Sequence, residues 1–113
     1  MSKKVSKLFL TRGVPGTHDI NMLFRCIKNL KIDKFKNMNI PRFDKSIDDR
    51  SKKINWLKVK KKPNIVIFEG WCVGATAQKN KDLNLPINKL EKQRDNKKIW
   101  RKKVNSELKK SYR

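Results

Sequence analysis

Asn64-Ile65-Val66-Ile67-Phe68-Glu69-Gly70-Trp71 decides how this chain is read. Four apolar residues, Ile65 to Phe68, run without a polar break behind Pro63-Asn64 and ahead of Glu69-Gly70. A short apolar run with punctuated ends fits a strand buried on both faces, the kind found in parallel sheets. A strand over Ile65–Phe68 is therefore expected. Glu69 then sits at its C-terminal end, where ligands bind in open α/β sheets. The plainer alternative is a solvated carboxylate at a strand exit.

Downstream, Trp71-Cys72-Val73-Gly74-Ala75 continues the turn, and its glycine permits close backbone approach to a ligand. Pro86 within Leu83–Leu90 suits the first turn of a short helix. A final helix is expected over Asp95–Tyr112. Trp100, Val104, Leu108 and Tyr112 repeat every four residues and make a narrow apolar face, with Lys, Arg and Asn opposite.

Upstream, Val5–Leu10 reads as a short strand or an extended lead-in. It meets Arg12-Gly13-Val14-Pro15-Gly16-Thr17-His18-Asp19, where two glycines and a proline enforce a tight turn. Arg12 beside that turn can hold an anion, or be a plain surface arginine. A helix over Asp19–Leu30 follows. Thr17 or Asp19 caps it, and Ile20, Leu23, Phe24, Ile27 and Leu30 form one apolar stripe. His18 and Asp19 thus fall at a helix N-terminus, whose N–H groups and dipole favour anions. Further along, Asp44, Asp48 and Asp49 face Arg42, Lys45 and Arg50 in sequence. This cluster reads as a metal or polar-substrate site, or as a loop of surface ion pairs worth ~0–1 kcal/mol each. Ser51–Lys62 is a basic linker containing Trp56.

The 113 residues suit one small domain or part of a larger one, and the formal charge is +21. Such a charge raises nucleic acid as a partner. Against that, the charge is mostly Lys, spread along a chain also rich in Asn and Ile, and Lys reads bases less well than Arg. Non-specific attraction to nucleic acid at low salt is expected. Cys26 and Cys72 lie far apart, with neither metal-ligand spacing nor a disulfide framework. Reduced thiols in a cytoplasmic protein are expected. His18 is the single histidine, which excludes a histidine-rich metal site. No apolar run approaches the ~20 residues of a membrane span, and no secretory signal is expected, because the apolar stretch after Met1-Ser2-Lys3-Lys4 is too short.

Several of these stretches, in order, resemble the D-glycerate 3-kinase-like proteins of the P-loop kinase group, which also holds uridine kinase, phosphoribulokinase and pantothenate kinase. Arg12–Asp19 resembles the family's R-G-x-P-G-T-H-D signature. Phe43-Asp44-Lys45-Ser46 resembles its [YF]-D-K-S segment, and Asp49-Arg50 its downstream D-R. Ile67–Gly74 resembles its strand and E-G-W-x-V-G turn. Pro86-Ile87-Asn88-Lys89-Leu90-Glu91, Asp95, Trp100-Arg101 and Val104-Asn105 resemble its P-x-N-x-L-E…D…W-R…V-N region.

The resemblance implies an α/β chain with a partial P-loop kinase fold, a parallel sheet flanked by helices and left incomplete. Residues 1–113 would form a single partial kinase domain. The G-x-x-x-x-G-K-[ST] loop that cradles phosphates is missing from the chain. So is the acidic D-D-F-Y-like strand end expected before Leu10-Thr11, and the family continues past Tyr112. The implied cofactors are ATP and Mg²⁺. Glu69 resembles the Walker-B-type carboxylate, a catalytic and metal-binding position, and Asp19 is the second implied catalytic residue. Arg12, His18, Asp44, Lys45, Asp49 and Arg50 are implied substrate contacts, and Arg101 a lid arginine. The expected function is phosphoryl transfer to a small hydroxyl acceptor, D-glycerate first. The alternatives are an inactive remnant, a subunit completed by a separate P-loop chain, or a small basic nucleic-acid-binding protein.

Overall fold

A computed structural model describes residues 5–112. The chain divides into two compact units. One holds the described residues up to His18 and those from Glu69 onward; the other holds Asp19–Phe68.

In the second unit, α1 spans Ile20–Lys31. Asp19 is its N-cap, its carboxylate accepting from Met22 N at 3.0 Å. Leu30 is the buried end of the apolar stripe. The helix stops at Ile32, whose backbone is extended. Strand β1 (Met38–Ile40) pairs antiparallel with β4 (Leu57–Val59), in register Met38 to Val59. Between them, β2 (Phe43–Asp44) pairs antiparallel with β3 (Asp49–Arg50), Phe43 opposite Arg50. Ser51 ties this hairpin to its base: its N–H and hydroxyl both donate to the Arg42 carbonyl, at 2.9 and 3.0 Å. The Trp56 indole N–H donates to the Ser51 carbonyl at 2.9 Å, so the basic linker carries a structural tryptophan.

In the first unit, a 3-10 turn over Lys7–Phe9 replaces the extended lead-in expected there. The Ser6 hydroxyl accepts from Leu8 N and starts the turn, and Phe9 is buried beside the Trp100 ring, centroids 6.4 Å apart. A second 3-10 turn spans Asn80–Leu83 and buries Leu83. Helix α2 runs over Lys89–Arg94, capped by the Asn88 side chain, so Pro86 precedes this helix rather than occupying its first turn. Helix α3 runs over Ile99–Ser111. The helix expected from Asp95 begins four residues later, because Lys98 takes a left-handed backbone (φ 58°) between α2 and α3. Asp95 still serves the start of α3, since its carboxylate accepts from Trp100 N at 2.8 Å and Arg101 N at 3.1 Å.

Among the described residues the fold is mixed α/β, with three α-helices and two small antiparallel ladders. Among the described residues no parallel strand pair forms. The strand expected over Ile65–Phe68 does not form either: Ile65 is 79% and Ile67 86% exposed. A strand is held by its neighbours' hydrogen bonds. No amide of Ile65–Phe68 donates to a backbone carbonyl among the described residues. Apolar composition supplies a reason to bury this run, but without a flanking strand there is no ladder to bury it in.

Candidate functional site

The candidate residues fall into both units. Arg12, His18, Glu69 and Arg101 belong to the first; Asp19, Asp44, Lys45, Asp49 and Arg50 belong to the second.

In the first unit the Arg12–His18 turn is built by Thr17. Its hydroxyl accepts from Gly13 N at 2.8 Å and donates to the Val14 carbonyl at 2.7 Å. The Thr17 N–H also reaches that carbonyl, at 3.1 Å. Gly16 takes a φ of 97°, a left-handed conformation open to glycine at no steric cost. Pro15 is buried beneath the turn.

The Glu69–Gly74 segment packs onto this turn. The Cys72 thiol lies 3.9 Å from the Gly13 carbonyl oxygen, and a Cβ built on Gly13 would meet the Trp71 ring at 3.9 Å. Two overlapping turns shape the segment, with Val73 N donating to the Gly70 carbonyl and Ala75 N to the Cys72 carbonyl. Gly74 closes them with a φ of 76°. Burial pushes the Cys72 thiol up, so it stays protonated at neutral pH. Glu69 is exposed, and among the described residues no cation pairs with its carboxylate.

His18 is half-buried, and its Nδ1 lies 2.6 Å from the Tyr112 hydroxyl. Desolvation first, and the nearby Arg12 charge second, lower the His18 pKa. Tyr112 is pushed up to about 12, chiefly by burial, with Cys72 and Glu107 adding to it. Both shifts agree with one assignment: a neutral imidazole whose Nδ1 accepts from the Tyr112 hydroxyl.

Arg101, implied as a lid residue, is buried at 5% exposure. Its Nε donates to Asp95 Oδ2 at 3.0 Å and its Nη2 to the Asp95 carbonyl at 2.8 Å. Nη1 sits 3.4 Å from Glu91 Oε2, within ion-pair range but off hydrogen-bond geometry. Glu91 Oε2 also accepts from Ile87 N, and Asn105 exchanges two hydrogen bonds with the Gln78 backbone. The segment from Asn88 to Asn105 thus owes much of its residue pattern to caps and clamps. Sequence periodicity missed this, because the partners stand outside any one helical stripe.

In the second unit, the Asp19 carboxylate is occupied twice. Oδ1 caps α1, and Oδ2 accepts from Arg50 Nη2 at 2.9 Å. Asp44 Oδ1 accepts from the Ser46 hydroxyl and backbone N–H, which lower its pKa in that order. Asp49 stands opposite Asp44 across the β2–β3 ladder, and its Oδ1 accepts from Arg50 N at 2.7 Å. Lys45 is exposed in the connecting loop. No group of three or more metal-ligating side chains forms among the described residues.

Over 68 residues the chain is 37% identical to a protein of Schizosaccharomyces pombe (strain 972 / ATCC 24843) that carries the name "Uncharacterized kinase mug58". The match covers 56% of this chain and 24% of that protein. The chain therefore spans about a quarter of the length of the curated relative it matches. No family model matches the chain, and no solved structure is significantly similar to it.

Proposed function

We propose that this chain is a section of an ATP-dependent small-molecule kinase whose hydroxyl acceptor is D-glycerate. The lineage draws support from the similarity to a protein named as a kinase, along with the motif order described above. The observation that carries the site is the packing of the Glu69–Gly74 turn on the Arg12–His18 turn. The Glu69 carboxylate, the Arg12 guanidinium and the His18 imidazole all belong to the same unit.

In this reading Arg12 attracts the acceptor's carboxylate and His18 Nε2–H donates to it, while Tyr112 fixes the ring. Glu69, whose side chain is exposed, would be the carboxylate offered to a Mg²⁺ ion, which takes one or two carboxylates and keeps water and phosphate as its other ligands. Bound there, the ion would supply charge neutralisation to a transferring phosphoryl group. The residues present do not fit the triphosphate itself, for none of the four glycines precedes a lysine. A phosphate cradle would have to be supplied from outside these 113 residues, by further sequence of the same protein or by a separate P-loop chain.

Titration of D-glycerate into the protein tests the acceptor side. The His18 ring proton should shift saturably, and Arg12→Ala should abolish the shift. The charge of +21 favours the second reading, a nucleic-acid binder. That reading predicts no response to glycerate and a salt-sensitive response to any oligonucleotide.

A further inference from the structure

The first unit contains a cleft of about 530 Å³ between the 3-10 turn at Asn80–Leu83 and one face of α3. Lys102, Ser106 and Lys109 contribute to the α3 wall at helical spacing, and Lys81 and Asn80 stand on the facing wall. Leu83 is its buried apolar floor. None of its described lining residues is a carboxylate, although Asp82 lies on the same 3-10 turn. Among the described residues none of its three lysines enters an ion pair. The amide of Asn105 is held by the Gln78 backbone, which fixes that part of the wall.

We propose that this cleft binds a small phosphorylated compound carrying two or more linked phosphates. Three lysines line one hollow, so an anion bound in it would meet three cations. Lysine ammonium groups with the Ser106 hydroxyl between them match phosphate oxyanions, which accept charge-assisted hydrogen bonds from each. The walls hold three cations and not one, so a chain of phosphates satisfies more of them than a single phosphate does. The cleft stands apart from the kinase reading, because none of its lysines enters the acceptor or metal assignments.

Isothermal titration calorimetry with inorganic tripolyphosphate, at about 0.15 M salt to screen diffuse attraction, tests this. The Lys102→Gln/Lys109→Gln double variant removes cleft charge. Lys58→Gln/Lys60→Gln removes the same charge from the other unit. The proposal expects saturable binding by the wild type. It expects about tenfold or greater weakening in the cleft variant, and less than about twofold in the control. Ser106→Asp, which places a negative charge in the hollow, should abolish binding, and circular dichroism should show α3 intact in both cleft variants. Equal weakening in the two double variants overturns the proposal. So does tighter binding of an oligothymidylate than of tripolyphosphate at equal phosphate concentration, which would assign the lysines to a nucleic-acid backbone.

Discussion

Asp95 holds Arg101 at three points: its Oδ2 accepts from the Arg101 backbone N–H at 3.1 Å and from Nε at 3.0 Å, and its carbonyl accepts from Nη2 at 2.8 Å. Both side chains are nearly inaccessible, at 5% and 3% exposure. A carboxylate left alone at such a site has neither water nor cation to stabilise it. Arg101→Met should therefore destabilise the first unit by about 3–5 kcal/mol, the usual cost of removing one partner of a buried pair. Arg101→Lys should also be poorly tolerated, since an ammonium cannot reproduce the planar fork. Chemical denaturation followed by circular dichroism measures both.

Asp19 separates two small contributions. Asp19→Ala removes the α1 cap and should cost about 1 kcal/mol. Asp19→Asn keeps a capping oxygen and loses only the exposed pair with Arg50, worth ~0–1 kcal/mol. Equal losses from the two variants in urea unfolding would contradict the capping role.

His18 and Tyr112 are the single histidine and tyrosine, so each titration is uniquely assigned. The His18 ring should titrate below its ordinary 6.5 by NMR. Tyrosinate absorbance should rise with a midpoint near 12 rather than 10. The folded state resists protonating His18, so its contribution is intact above pH 6.5 and is lost as pH falls through the lowered folded value. Tyr112 acts in the opposite direction: its contribution is intact below pH 10 and is lost as pH rises through about 12.

The amides of Ile65–Phe68 should exchange with solvent faster than those in the middle of α1 and α3. They donate to no backbone carbonyl among the described residues, whereas helical amides are paired. Slow exchange at Ile67 in the isolated chain, read by NMR, would show a partner strand that the fold does not contain.

Local rules recover α1 well, because its stripe, its Asp19 cap and its length all agree. The body of α3 is equally legible from Trp100, Val104 and Leu108. Its start is not, since Asp95 caps it from across the turn at Lys98. Ile65–Phe68 misleads for a different reason: hydrophobicity reports what a segment would gain by burial, while strand formation depends on a neighbour. Strands β1 and β4 are only three residues each and too short for a periodic signal. At the candidate site, the two glycine turns are legible as turns, but their packing through Gly13, Trp71 and Cys72 is a tertiary fact. The Tyr112 partner of His18 is likewise tertiary, at opposite ends of the sequence.

The kinase account meets its most direct test in a coupled assay of ADP release with D-glycerate and Mg²⁺-ATP. The purified chain is assayed alone and with a polypeptide carrying a G-x-x-x-x-G-K-[ST] loop from a related kinase. The account predicts no turnover by the chain alone, because nothing in it replaces the phosphate cradle. It predicts turnover on complementation, abolished by Glu69→Gln. Robust turnover by the chain alone, or complemented turnover that survives Glu69→Gln, would contradict it.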